Sequence, residues 1–320
     1  MSRKNIAILR GGPSSEYDFS LRTGRAVIEA LRGKHLIKDI VIDKNGDWYC
    51  GGFNLKPQKA LERTDVVFNA MHGDYGEDGK VQQILENLNI PFTGSGAFGS
   101  AMSINKVRAK KVFDQYDIQT PFAKVVSNTA STEEIAFAIF RSFPMPVILK
   151  PISKGSSVDV IVVKDFHSLV ASLDFLFEKY DQILMEEFIQ GKEATVGVLE
   201  NFRDQSAYAS MPLQISVPGD YFDYECKNST ENDNICDCTL SQKEKETLQE
   251  LAIKAHQGLN LRHYSRSDFI IHPRRGIFLL ETNSLPDFTP QGLYAKGFEQ
   301  TGASYENLLD HLIEMAHNNK

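Results

Sequence analysis

Arg266-Ser267-Asp268-Phe269-Ile270-Ile271 and Phe278-Leu279-Leu280-Glu281-Thr282-Asn283 are two apolar runs joined by His272-Pro273-Arg274-Arg275-Gly276. The pattern predicts a β-hairpin with a five-residue loop. Asp268 falls near the start of one strand and Glu281 and Asn283 near the end of the other, and in an antiparallel pair those ends are neighbours. Glu281 and Asn283 are two residues apart, so their side chains share a face. Two carboxylates, an amide and Arg266 on one patch make an oxygen-rich Mg²⁺ site beside a phosphate clamp. Taken alone, the same pattern also fits an edge hairpin carrying solvated charges.

Upstream of the hairpin, the apolar runs alternate with helical patterns. Asn5–Leu9 reads as a buried strand, Gly11-Gly12-Pro13-Ser14-Ser15 as a tight loop, and Tyr17–Leu31 as a helix ended by Gly33. Ile37–Ile42, Val66–Asn69 and Ile90–Thr93 read as further strands, with a helix over Lys80–Leu88. Strands alternating with helices predict a parallel α/β sheet up to about residue 95. The glycine loop is not G-x-G-x-x-G, so it predicts no dinucleotide site. Beyond it, Gly99–Tyr116 reads as one helix, followed by a compact α+β unit: strands over Phe122–Val126, Val147–Lys150, Val158–Val163 and Gln182–Glu186, helices over Thr132–Arg141 and Asp165–Tyr180. Thr195–Leu199 and Ser206–Ile215 read as antiparallel strands. Residues 217–240 form a polar stretch whose length fits a functional lid or a disordered segment. A helix from Ser241 to Gly258 carries a capping box, Ser241 with Glu244, and a last helix spans Tyr305–His317.

The chain has 320 residues, 42% apolar and 24% charged, enough for two or three domains. A net charge of −7 disfavours a nucleic-acid partner. No apolar run reaches the roughly 18 residues of a membrane helix, and Met1–Leu9 has no signal-peptide core, so the reading is a soluble cytoplasmic protein with no membrane partner. Of the four cysteines, Cys236 and Cys238 are spaced C-x-C without a second Cys/His pair, which reads as reduced loop thiols rather than zinc ligands.

Other segments carry chemistry of their own. Lys150 ends a buried strand, and Ser153-Lys154-Gly155-Ser156-Ser157-Val158 follows as a small loop whose backbone N–H groups and hydroxyls suit phosphates; an ordinary turn fits equally. Met185-Glu186-Glu187-Phe188-Ile189, with Glu193 beyond Gly191, suits adenine and ribose recognition, and in isolation equally suits strand-end surface charge. Glu16 could anchor an ammonium, or simply complement a helix dipole. His72, in His72-Gly73-Asp74-Tyr75-Gly76-Glu77-Asp78-Gly79 after a buried strand, suits a substrate-facing or a plain surface turn.

In combination and in order, these segments resemble the D-alanine–D-alanine ligases of the ATP-grasp superfamily over nearly the whole chain. The resemblance rests on G-G-x-S-x-E at the N-terminus, H-G-x-x-G-E-D-G at 72–79, T-G-S-G at 93–96 and K-P-x-x-x-G-S-S-V at 150–158. F-D-Y-E at 222–225, R-x-D at 266–268 and E-x-N at 281–283 complete it. It implies an α/β and α+β architecture: an N-terminal parallel α/β domain (1–96), then an ATP-grasp fold made of a central subdomain (97–188) and a catalytic domain (189–320) with its lid at 217–240. ATP would bind between the last two. Lys106 and Lys150 would contact its phosphates, Glu186, Phe188, Ile189 and Glu193 its adenine and ribose, and Tyr221 and Lys227 would meet the nucleotide from the lid. Asp268, Glu281 and Asn283 would hold two Mg²⁺ ions, with Mn²⁺ as a substitute. Glu16 would orient the ammonium of the first D-alanine, with His72 close by; Ser156 would tie the central loop to the site; Arg266 would stabilise a tetrahedral intermediate. The implied reaction is ATP-dependent dipeptide formation through an acyl phosphate, supplying peptidoglycan precursors, in a homodimer.

The chain departs from that pattern at several places. Asn228 follows the lid lysine where the resembling ligases have tyrosine, and Asp159 stands where a glycine follows G-S-S-V. Asp287 replaces a glycine whose backbone N–H helps the oxyanion hole; aspartate tolerates positive φ better than most residues. The serine that meets the second substrate's carboxylate aligns with Gly292, followed by Leu293, and Asn105 precedes Lys106 in place of aspartate. These changes spare the metal ligands and ATP lysines and cluster at the lid and acceptor pocket. They leave open a ligase of the same chemistry with D-lactate, D-serine or another amino acid as acceptor, and a catalytically weak nucleotide-binding homologue.

Overall fold

A computed structural model describes residues 3–215, 235–236 and 240–318. Its first layer contains β1 (Asn5–Gly11), α1 (Tyr17–Leu31), β2 (Leu36–Ile42), β3 (Trp48–Cys50), β4 (Phe53–Asn54), α2 (Pro57–Ala60) and β5 (Val66–Asn69). The sheet order is β4-β3-β2-β1-β5, and β1 runs parallel to β2 and β5. Ile6, Ala7, Ile8 and Leu9 of β1 are fully buried, as an unbroken apolar run in the middle of a parallel sheet requires. The parallel expectation holds for those three strands only. β3 and β4 add antiparallel at the edge, because the turn at Asp43–Asp47 is far too short for a crossover. Ile90–Thr93 is not a full strand either; it contributes one parallel bridge, Phe92 with Val67.

Three helices then lead out of this layer: α3 (Lys80–Asn87), α4 (Ala97–Ile104) and α5 (Lys106–Gln115). The single helix expected over 99–116 is broken at Asn105, which leaves helical geometry and caps α5 by accepting the Arg108 backbone N–H at 3.0 Å. The cap places Lys106 at the first turn of α5.

The second sheet is antiparallel, ordered β6-β9-β7-β8. It is built from β6 (Ala123–Ser127), α6 (Thr132–Ser142), β7 (Val147–Pro151), β8 (Ile161–Val163), α7 (Phe166–Phe177) and β9 (Gln182–Glu187). β8 begins only at Ile161, since residues 158–160 are spent in the turn that follows the serine loop.

The third sheet has β10 (Lys192–Phe202), β11 (Gln205–Ala209), β12 (Leu213–Ile215), β13 (Ile235–Cys236), β14 (Tyr264–His272) and β15 (Gly276–Asn283), with α8 (Gln242–Gly258) across one face. The capping box of Ser241 with Glu244 starts α8, as expected. The β14–β15 hairpin forms in the anticipated register: Asp268 lies opposite Glu281 and Arg266 opposite Asn283. His272 still pairs with Gly276, so the loop is the three residues Pro273–Arg275 rather than five. A bulge between Asp268 and Phe269 re-aims the strand next to the metal-ligand candidates.

The chain closes with α9 (Leu293–Glu299) and α10 (Tyr305–Asn318). α10 returns onto the first layer, so Val27 and Phe68 share one core with Phe288, Tyr294, Leu309 and Ile313. Lys4–Glu314 and Lys34–Asp310 ion pairs, at 2.6 and 2.7 Å, fasten its outer edge. This shared core fixes the first layer relative to the hairpin.

His263 is a second fastening. Its Nδ1 accepts the Gly94 backbone N–H at 3.0 Å, and its own backbone N–H donates to Glu200 at 2.6 Å. Burial, with the charge of Arg262, holds its pKa down at about 4. The unfolded chain takes up this proton near 6.5 and the folded chain resists it, so stability falls as pH drops from about 6.5 to 4, by about 2–3 kcal/mol from this residue. Urea melts of the native chain and of His263→Asn across that window check this; parallel stability–pH curves would remove the assignment.

Candidate active site

A cavity of about 280 Å³ lies between the second and third sheets. Lys106 and Lys150 enter it from α5 and β7, Glu186 from β9, Phe188 and Ile189 from the segment after β9, and Glu193 from β10. Asp268 and Glu281 enter from the hairpin. Those eight side chains, spread over 176 positions of sequence, come from the hairpin, the Lys150 strand, the 185–193 segment and, for Lys106, the family resemblance. Its lining combines apolar side chains, Phe188, Ile189, Ile148 and Leu280, with the charged lysines and carboxylates, a combination a purine nucleoside phosphate needs.

The electrostatics of the charged lining are set by Glu186. Its carboxylate is fully buried and bridges Lys150 at 2.6 Å and Lys110 at 2.8 Å. Burial alone would raise its pKa, but the charges of Lys150 and Lys110 outweigh it and hold the carboxyl below its ordinary value. Lys110 is pulled the other way: burial lowers its pKa despite Glu186. Glu186 is therefore occupied in aiming Lys150. Lys110 was missed in the sequence, although it lies one helical turn after Lys106 (i, i+4). Lys106 itself donates to the Lys154 carbonyl at 2.6 Å and stands 3.5 Å from Glu281. Arg275 of the hairpin turn holds Glu187, at the cavity's lining, with two bonds of 2.7 and 2.9 Å, which pins the segment bearing Phe188.

Asp268 lies in the middle of β14, not near its start, because the strand begins already at Tyr264; the hairpin sets it opposite Glu281 and brings Asn283 Nδ2 within 3.5 Å of it. The donor set is two carboxylates and an amide oxygen. It is hard and oxygen-only, and it leaves room for phosphate oxygens and water, which fits Mg²⁺. Among the described residues, no cluster of three or more His, Cys, Asp or Glu side chains offers a cage of another kind. Arg266 is half-buried beside it, bonded to Asp268 through Nε at 3.0 Å and Nη2 at 2.8 Å. Burial works against its charge, and Asp268 restores it, with Glu281 and Asp287 adding to the effect.

Glu281 also lines a smaller hollow shared with Asn283, Glu77 and Gly155, which leads toward the first layer. There Glu16 is buried and accepts a hydrogen bond from the Ser156 hydroxyl. Burial and the charge of Glu77 raise the Glu16 pKa above the ordinary range, with His72 and Ser156 opposing. His72 lies against Phe19, with Nε2 3.0 Å from Thr23 Oγ1 and Nδ1 3.5 Å from Glu77. Burial disfavours its charge, but Glu77, Glu16 and Asp287 together raise its pKa. Gly73, at φ +73, has to be glycine: a Cβ would stand 2.9 Å from Glu16 Oε1. Lys154 lines both hollows and pairs with Asp74, 80 residues away, a contact no local pattern announces.

The departures are resolved residue by residue. Asp159 sits at φ +55, in the left-handed region that explains a glycine there, and its carboxylate turns out of the cavity to Lys179 at 3.1 Å and Tyr180 at 2.7 Å. It does not face the phosphate end. Asp287 is not among the residues with positive φ, so its tolerance of that region is not called on. Gly292 caps α9, and Leu293 is its first residue, half-buried. Tyr221, Lys227, Asn228, the 222–225 motif and the 217–234 part of the lid lie outside the described residues.

Two family models match the chain: the D-ala D-ala ligase N-terminus over residues 51–95 and the D-ala D-ala ligase C-terminus over residues 112–314. The D-alanine–D-alanine ligase of Desulforamulus reducens is 34% identical over 317 residues, covering 97% of this chain and 98% of that protein. Among solved structures, the D-alanyl-alanine synthetase A from Vibrio cholerae superposes with a TM-score of 0.86 at 26% identity, covering both chains completely. The VanG D-Ala:D-Ser ligase from Enterococcus faecalis superposes with a TM-score of 0.82 at 26% identity, covering 98% of this chain and all of that one.

Proposed function

The chain belongs to the D-alanine–D-alanine ligase family, ATP-dependent enzymes that form a carbon–nitrogen bond, and from that premise we propose that it joins two D-alanines for peptidoglycan precursor synthesis with the residues of the two hollows. What supports this reading is the convergence on one cavity of side chains from the hairpin, the Lys150 strand, the 185–193 segment and the start of α5. In this reading residues 1–96 hold the donor amino acid, 97–188 and 189–320 enclose the nucleotide, and the enzyme works as a cytoplasmic homodimer. Among the described residues no helix is long and apolar enough to cross a membrane.

The buried Glu16 takes the ammonium of the first D-alanine, an interaction that repays the cost of its burial. The carboxylate of that D-alanine then faces the γ-phosphate, which Lys227 of the lid contacts, while Lys106 and Lys150 hold the nucleotide's phosphates; Glu186 keeps Lys150 aimed without an entropic search at the moment of reaction. Attack gives an acyl phosphate and ADP. The amine of the second D-alanine attacks the acyl carbon, the C–N bond forms, the bond from carbon to the phosphate oxygen breaks, and phosphate leaves with the electron pair. Arg266 faces the oxygen that becomes negative in the tetrahedral intermediate, and its fork is already fixed by Asp268. Asp268, Glu281 and Asn283 would hold Mg²⁺, which when bound supplies positive charge against the transferring phosphoryl group. Lys227 joins from the lid in this proposal.

The test is ADP release with Mg²⁺, with and without D-alanine, with the product read by mass spectrometry. D-alanine-dependent ADP and D-alanyl-D-alanine are expected. ATP binding with no D-amino-acid-dependent turnover would overturn the reading in favour of a catalytically weak homologue.

A further inference from the structure

We propose that Arg275 is a positioning residue for the nucleotide: with Glu187 it clamps the third sheet to the second beside the cavity, and this clamp sets the affinity for ATP. The proposal rests on the reading of that cavity as the nucleotide site.

The chain passes between the two sheets through a short link. Residues 188–191 join β9 to β10, and Phe188, Ile189, Gln190 and Gly191 all line the cavity. The link runs tight against β14, since a Cβ on Gly191 would collide with the Ile271 carbonyl. The strip that connects the sheets is therefore also a wall of the cavity, and rotation about it changes the cavity's width. A short link at the end of a strand is by itself a hinge.

Arg275 restrains that hinge. It stands in the turn of the β14–β15 hairpin, 88 positions beyond Glu187, the last residue of β9. Its Nη1 and Nη2 donate to the two Glu187 carboxylate oxygens at 2.7 and 2.9 Å, and Glu187 Oε1 also accepts the Phe122 backbone N–H at 2.9 Å. The bond to Arg275 holds the Glu187 carboxyl below its ordinary value and the guanidinium above its own. Exposed ion pairs as a rule contribute little. Arg275 is 46% exposed, but its planar fork meets a carboxylate that is 19% exposed and already fixed by a backbone bond. A single-point pair could swing with the hinge; a planar two-point contact to a fixed carboxylate resists it.

An apolar cluster adjoins the clamp. Ile189 of the link packs with Ile270 and Phe278 of the hairpin, with Leu280 against them. Ile189, Ile270 and Leu280 line the cavity, and the Arg275 guanidinium lies 4.7 Å from the centre of the Phe278 ring. Next along β15, the Leu279 backbone N–H donates to the Gln119 carbonyl at 2.8 Å, which ties the hairpin to the approach to β6. With the clamp intact, the cavity wall is in place before the nucleotide arrives. Without it, binding has to order the wall, and that cost weakens affinity.

The experiment is titration calorimetry of the full chain with ATP and Mg²⁺, on the native protein, Arg275→Ala, Glu187→Ala and the double variant, with steady-state kinetics on the same proteins. Each single change is expected to weaken ATP binding by about tenfold, equivalent to about 1.4 kcal/mol. The double variant is expected to bind no more weakly than either single one, because both changes remove the same contact. In the kinetics, the loss should fall on the KM for ATP, with kcat and the KM for D-alanine kept within about twofold. A general loosening of the fold would lower kcat as well. Unchanged ATP affinity in both single variants, additive losses in the double one, or a fall in kcat as large as the loss of affinity overturns the proposal and leaves the ligase reading standing. The expected affinities from a native chain that makes no dipeptide would sustain the clamp and overturn the ligase reading. A native chain that does not bind ATP overturns both.

Discussion

Glu281→Gln is expected to lower turnover by about two to three decades, a loss of about 3–4 kcal/mol of transition-state stabilisation, and to leave the fold in place. Glu281 is half-buried on β15, opposite Asp268, and faces both hollows. Glutamine keeps its shape and removes one of the two carboxylates that would bind Mg²⁺. The loss should grow as Mg²⁺ is lowered and shrink in part at high Mg²⁺, because the ligand set is weakened rather than blocked. Steady-state kinetics over a Mg²⁺ series, with a thermal melt alongside, measures both. Turnover within a few-fold of the native chain at all Mg²⁺ levels would show that Glu281 is not a ligand. Asp268→Asn is a less clean probe. Asp268 also accepts from Thr195 at 2.7 Å and balances the half-buried Arg266, so its loss should reduce stability as well as turnover.

Arg266→Ala should cost still more, about three to four decades in kcat/KM, carried by kcat, with the KM for ATP changed only a few-fold. The guanidinium is half-buried and its fork is committed to Asp268 before substrate arrives. Removing it deletes a fixed donor at the developing oxyanion and strands the Asp268 carboxylate, which should also reduce stability by about 3–5 kcal/mol. Arg266→Lys separates the two effects. A lysine restores charge against Asp268 and hence stability, but it cannot reproduce the planar two-point contact, so turnover should stay low. An equal loss in ATP affinity and turnover for Arg266→Ala would place the residue in nucleotide binding instead.

Much of this site could be read in the chain because its signals are local. The alternation that puts Glu281 and Asn283 on one face needs only the strand period, and the register that sets Asp268 against Glu281 follows from the short turn. The capping box at Ser241 depends on residues three apart. Where local signals were short or ambiguous the reading slipped: the three-residue β3 was passed over, and the helix break at Asn105 was hidden inside a continuous helical pattern.

The sequence by itself determined the order of strands and helices, the family motifs and the hairpin that carries the metal-ligand candidates, because each depends on periodicity or spacing within a few residues. Only the tertiary structure decided that Glu186 is held between Lys110 and Lys150, that Asp159 turns away toward Lys179, and that Asp287 fills the space beside Gly292 while facing Thr23. Those facts depend on which distant backbones pack together and on how burial then forces each charge to find a partner. No spacing along the chain encodes that competition.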